Sequence, residues 1–255
     1  MGIGDEISLK AEHLFSIGGF PVTNTLLLSF AAVIVFVVFG LIFRNKIKVF
    51  PGKFQSFFEW ILEEITNLME SVLGNRALAE NYLPLVASLF FFVLVSNWLG
   101  LLPGLSSVGL REGGIIVPFF RSPASDLNFT LALAIVSVIA TNIIAVKSLG
   151  IKLHLKRFFN FKNPITFFVG ILEIISEFAK IISFSFRLFG NVFAGEVLLI
   201  TIGALIPYFV PMPFLVMELF VGFIQAFIFA MLTIVFIAAA TALEEGHEEL
   251  QKVEK

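Results

Sequence analysis

The chain has 255 residues, 58% of them hydrophobic and only 14% charged, with 33 Phe and a mean hydropathy of +0.99. Such a composition excludes a soluble domain of this size and marks a polytopic membrane protein. A net charge of −2 argues against nucleic-acid binding through a basic surface, and zero Cys excludes disulfides, thiolate catalysis and Cys-ligated metals.

Residues 1–24 carry Asp5, Glu6, Lys10 and Glu12 where a signal peptide would have a basic stretch and an apolar core. They are expected to form an outer segment before an uncleaved anchor. Residues 25–43 are uncharged and long enough to cross about 30 Å of hydrocarbon at about 1.5 Å per residue. Arg44, Lys46, Lys48 and Lys53 follow, so the positive-inside rule places this end in the cytoplasm and the N-terminus outside. In residues 51–73, Phe54, Phe57, Phe58, Ile61, Ile65 and Met69 recur at helical spacing against Glu59, Glu63, Glu64 and Glu70, the pattern of an amphipathic helix at the membrane surface.

Residues 83–102 read as the next span, with Asn97 and with Trp98 as an interface anchor near its outer end. A loop containing Gly113, Gly114, Pro118 and Pro123 leads to Asp126, an N-cap for the span 127–147. Lys147, Lys152, Lys156, Arg157 and Lys162 then mark a second cytoplasmic end. Residues 164–206 have no proline after the first. As one helix they would run roughly 64 Å, so a break near Gly190 or Gly195, or a steep tilt, is expected. Residues 213–243 would run about 45 Å and tilt as well. Residues 244–255 are a charged tail expected in the cytoplasm. The expected fold is thus an all-α polytopic membrane protein with about five membrane helices and one surface amphipathic helix, the last two spans forming a long, steeply tilted hairpin.

Arg187 lies inside this apolar hairpin. Its insertion mid-bilayer costs roughly 3 kcal/mol on insertion scales and about 10 or more in simulations of isolated helices, and such a group by default marks an ion pathway. At about 100° per residue from Arg187, Glu173 and Asn191 project near +40°, Ser176 near −20°, Lys180 near +20° and Ser183 near −40°. One face of this helix is therefore polar for some six turns, whereas Glu196 falls near 180°. Glu218 and Gln225 are seven apart and share a face of the last helix, with Gly222 between them. As satisfied structural polars these groups would pair across helices, as a membrane Gln usually does. Glu196 and Glu218, two protonatable groups in apolar surroundings, would also suit a proton relay.

Other constellations are weaker. Glu244, Glu245, His247, Glu248 and Glu249 read as a solvated tail rather than a metal site, and His13 and His154 are isolated. No phosphate-binding loop, nucleophile elbow or dinucleotide fingerprint occurs, so no nucleotide chemistry, catalytic residue or cofactor is expected.

The segment SFSFRLFGNVFAGE at Ser183–Glu196, followed by VGFIQAFIFAMLTIVFI, closely resembles subunit a of the F-type ATP synthase. The likeness extends to EHLFSIGGFPVTNTLL, to NWLGLLPG at Asn97–Gly104 and to FRSPASDLNFTLALA at Phe120–Ala134, nearly the whole chain. The resemblance implies a non-catalytic, proton-translocating stator with two offset half-channels. In it, Arg187 would be the essential arginine facing the c-subunit ring, with Gln225 and Asn191 beside it. Glu196 and Glu218 would line the outer half-channel, and Glu173, Ser176 and Lys180 the cytoplasmic one. Implied partners are the c ring, the b-subunit peripheral stalk and the rest of the synthase in a bacterial inner membrane, with no cofactor. Some family members have His where this chain has Glu218, so a sodium-coupled stator stays open beside proton coupling. A self-contained secondary transporter is the rival class, but the internal repeats usual there are not found.

Overall fold

The computed structural model describes residues 12–17, 19–102, 109–112, 115–151, 155, 158, 164–206 and 209–253. Residues 1–11 of the expected outer segment, Gly113, Gly114, Lys152, His154, Lys156, Arg157, Lys162 and Pro207 lie outside them. The main helices are α1 (Asn24–Lys46), α2 (Lys53–Leu73), α3 (Arg76–Gly100), α4 (Leu127–Leu149), α5 (Pro164–Leu205) and α6 (Pro211–Val253). All but α2 are long and apolar enough to cross a membrane. Two antiparallel hairpins accompany them: β1 (His13–Ile17) with β2 (Phe20–Thr23), and β3 (Gly109–Glu112) with β4 (Ile115–Pro118). The fold is all-α apart from these short ribbons, which period-2 patterning over four or five residues is too brief to announce.

Helix starts follow local capping chemistry. Thr23 Oγ1 accepts the amide of Leu26 at 3.3 Å and opens α1. Asn75 Oδ1 accepts the amides of Ala77 and Leu78 at 2.8 and 3.4 Å, so α3 begins at Arg76, seven residues before the expected span at Leu83. That cap offsets the polar composition of its first two turns, and Pro84 is accommodated inside the helix. Between α2 and α3, Gly74 takes φ 70°, the left-handed conformation that closes a helix, and its amide bonds to Glu70 O at 2.8 Å.

α5 is continuous over 42 residues, with no break at Gly190 or Gly195. A glycine in a helix costs about 1 kcal/mol, whereas each backbone group left unpaired in hydrocarbon costs several, so the helix persists. α6 runs on past residue 243 to Val253 rather than ending before the charged tail. Glu, Leu, Gln and Lys dominate that extension, and all are strong helix formers.

The chain forms two compact units, residues 1–52, 89–130 and 185–228, and residues 53–88, 131–184 and 229–255. In the first, Leu28 and Ala32 of α1 are buried while Phe30, Ile34 and Leu41 are exposed, as expected of a lipid-facing helix. A 3-10 turn at Pro123–Ser125 precedes Asp126. Asp126 Oδ1 accepts the Asn128 amide at 2.9 Å and its Oδ2 accepts the Thr25 hydroxyl at 2.8 Å. One carboxylate thus caps α4 and ties it to the start of α1. Aromatic contacts run from Phe36 to Phe92 to Phe129 at 5.9 and 6.1 Å, and from Phe90 to Phe223 at 6.0 Å. Thr130 and Ser185 share a buried hydroxyl hydrogen bond at 3.0 Å.

In the second unit, Ile65, Thr66 and Met69 of α2 are buried while Phe54, Phe57 and Trp60 are exposed. Arg76 reaches Glu63, Glu70 and Glu80 at 2.8–3.1 Å and Asn67 at 2.8 Å, clasping the α2–α3 corner. Phe184 stacks on Phe229 at 4.7 Å, and the hydroxyls of Ser137 and Thr233 meet at 3.2 Å.

Asp126→Ala removes both a helix cap and a tie to α1, a loss of about 1–2 kcal/mol. Melting of the detergent-solubilised protein is expected to fall by several degrees, with Asp126→Asn intermediate. An unchanged melting temperature would remove Asp126 from this role.

Candidate functional site

Within the first unit, the polar residues of α5 and α6 meet. Asn191 Nδ2 donates to Gln225 Oε1 at 2.7 Å, and Gln225 is only 2% exposed. Sequence periodicity placed both on helix faces but could not pair them, because they stand 34 positions apart on different helices. Arg187 is half-buried one turn before Asn191 on the same face of α5.

A cavity of about 250 Å³ lies beside this pair of helices and is lined by Glu196, Glu218, Arg121, Asn97 and Ser122 among others. The two carboxylates thus face one space, although Glu196 projects away from Arg187 on the helical wheel. Glu218 is 6% exposed and seated against Gly195, where a built Cβ would overlap its carboxyl group. Gly195 therefore serves close approach to a side chain rather than a break in α5. Glu196 forms an ion pair with Arg121, whose Nε lies 3.0 and 3.3 Å from its two oxygens. The guanidinium also stands 5.9 Å from the Phe193 ring centroid.

Asn97 Nδ2 donates to Gly222 O at 3.1 Å, and Trp98 Nε1 donates to Leu219 O at 3.1 Å. Trp98 thus holds a neighbouring helix, a tertiary role beyond the interface anchor expected of it. Asn97 Oδ1 and Ser122 Oγ are buried with no hydrogen-bond partner. Both atoms belong to residues that line the cavity.

The second unit holds the other expected residues. Glu173 and Lys180 are half-buried and Ser176 is exposed. Lys180 Nζ lies 2.6 Å from Glu177 Oε1 and 4.7 Å from the centroid of Phe236, and Asn142 Nδ2 donates to Glu177 Oε2 at 3.1 Å. On the helical wheel Glu177 projects near +80° from Arg187, at the edge of the polar stripe, and neither it nor Asn142 or Arg121 was among the expected site residues. The spacing of Glu177 and Lys180 was a usable signal, being three apart on one helix. Arg121 gave none, since an arginine ahead of a span is ordinarily interfacial. No group of three or more metal-ligating side chains occurs among the described residues.

The family profile described as ATP synthase A chain matches residues 25–238, a range that contains every one of these groups. The chain belongs to that family. Among its relatives, "ATP synthase subunit a" of Campylobacter jejuni subsp. jejuni (serotype O:23/36, strain 81-176) is 35% identical over 214 residues, 83% of this chain and 87% of the relative. The protein of the same name from Trichlorobacter lovleyi is 32% identical over 244 residues, covering 94% of this chain and 96% of the relative. That from Geotalea daltonii is 34% identical over 213 residues, 82% and 83% of the two chains. The chain is thus a multi-pass, non-catalytic membrane subunit.

Gly195→Ala forces a methyl group into the space of the Glu218 carboxyl, an overpacking cost of about 1–3 kcal/mol. The double variant with Glu218→Asp, one methylene shorter, is expected to recover most of the lost thermal stability. A gain of about 1 kcal/mol in Gly195→Ala, the full helix-propensity difference, would contradict this packing.

Proposed function

We propose that this chain is the stator of the membrane sector of an F-type ATP synthase, and that it lets protons cross by way of a rotating c ring. The observation that carries the reading is the α5–α6 constellation: half-buried Arg187, the Asn191–Gln225 bond one turn away, and a largely apolar cavity into whose wall Glu196 and Glu218 are set. The names of the relatives support the same complex.

A ring carboxylate must be neutral to travel through lipid, because burying it ionised costs several kcal/mol. Beside the Arg187 guanidinium the ionised form is favoured, so the proton is released there. Gln225 is held by Asn191, which lies one turn along α5 from Arg187. Glu196 and Glu218 serve the half-channel open to the outside, and Glu173, Ser176 and Lys180 the cytoplasmic one. Arg187 also blocks a direct leak between them, since a guanidinium does not release its proton. Each charge crossing about 100 mV supplies roughly 2.3 kcal/mol, so several crossings drive each ATP made elsewhere in the complex. The exposed apolar residues Ile175, Phe178, Ile182 and Phe186 of α5 suit a surface covered by lipid or by the c ring. The b-subunit stalk would hold the chain against rotation. The basic residues after α1 and α4 put the N-terminus outside and the C-terminus in the cytoplasm of a bacterial inner membrane.

The test is ATP synthesis by the complete complex in reconstituted vesicles. Arg187→Lys is expected to abolish proton-driven synthesis, because a compact ammonium lacks the guanidinium fork and a buried Lys can lose its proton. Normal synthesis by that variant would reject the role of Arg187, and synthesis that follows a sodium rather than a proton gradient would select the sodium-coupled stator. Glu218→Gln is expected to slow proton entry by about a hundredfold while leaving assembly intact, the lower end of acid–base contributions. Unchanged rates across outer pH would remove Glu218 from the path.

A further inference from the structure

Resting on the stator reading, we infer that Arg121 is a positioning residue of the outer half-channel: it holds Glu196 as a fixed carboxylate in the wall and leaves Glu218 to exchange the travelling proton. The two acids of the cavity occupy unlike settings. Both oxygens of Glu196 lie within 3.3 Å of one Arg121 nitrogen, and the Arg121 side chain is only 10% exposed. Glu218 makes no hydrogen bond or ion pair among the described residues and is confined by Gly195. Arg121, Glu196 and Glu218 are the charged or titratable groups on the cavity wall.

Arg121 is itself held in place. Its neighbour Ser122 is buried under Gly100, and Ser122 O accepts both the Ser125 amide at 3.1 Å and the Ser125 hydroxyl at 2.9 Å. The guanidinium packs near Phe193, one turn before Glu196 on α5. Two ionised carboxylates in one small cavity repel each other, and a buried charge is tolerated only when paired. Of the two acids of the cavity, Arg121 pairs with Glu196. Glu218, on the wall of the same cavity as Asn97 and Ser122, is left to gain and lose a proton.

The experiment uses the complete complex in vesicles, making ATP under a fixed imposed potential while the pH on the outer side is varied. Arg121→Gln strips the cation from Glu196, and the expected result is a fall of about tenfold or more, with the rate–pH midpoint moved to higher pH by about one unit or more. In Arg121→Gln/Glu196→Gln no bare carboxylate remains, so the rate is expected within about twofold of the Glu196→Gln single variant. A parent-like pH profile for Arg121→Gln, or losses that multiply in the double variant, overturns the inference. Should Arg121→Gln fail to assemble, assembly of the double variant supports the pairing, and failure of both overturns it. Parent vesicles that make no ATP under the potential count against the stator reading itself, which separates the two failures.

Discussion

Hydrocarbon offers no water to a polar side chain, so each amide, hydroxyl or carboxylate carried into the membrane must meet a partner on another helix or border a polar cavity. That constraint organises both units of this protein. In one, Asn191 binds Gln225, Thr130 meets Ser185, and Asn97 and Trp98 donate to backbone carbonyls at Gly222 and Leu219. In the other, Ser137 meets Thr233, and Glu177 gathers Asn142 and Lys180. Each such bond contributes only about 0.6–2 kcal/mol. Their larger effect is on register, because a helix displaced along its axis would lose partners that no lipid replaces.

The same constraint explains why α5 and α6 stay unbroken. A kink would free carbonyls and amides with nothing to receive them, so Gly190 and Gly195 remain helical. At Gly195 the space a side chain would fill goes to Glu218, which brings an acid of one helix against the backbone of the other. Continuous helices also keep polar residues in fixed angular order, which a flexible joint would not.

Much of this was legible in the sequence, because hydrophobic length and charge bias are strong signals in a membrane chain. The spans, the surface helix and the Asp126 cap follow from local pattern alone. The start of α3 was missed by seven residues because hydropathy marks the apolar core of a helix, whereas its first residue is set by a cap, here Asn75. The helical extension of α6 was hidden for a related reason: charge was taken to end the helix, although charged residues end a membrane span without ending helical structure. The candidate site divides in the same way. Residues on one helix, such as Arg187 and Asn191, were ordered by periodicity. Partners that converge from distant segments, such as Arg121 with Glu196 across 75 residues, are a product of tertiary packing.

On the proposed reading, the contrast between the two cations of α5 gains a meaning. Lys180 sits against Glu177 and the ring of Phe236, and lysine, unlike arginine, belongs to the side chains whose proton can be released. Arg187, two turns later on the same polar stripe, cannot release its proton. A stripe built only of lysines and acids would be a continuous wire, through which protons could cross without turning a rotor. Interrupting it with one group that is always charged and never a donor of its proton makes the passing ring carboxylate the remaining carrier. The position of Arg187 between the residues assigned to the two half-channels is therefore the requirement from which their separation follows.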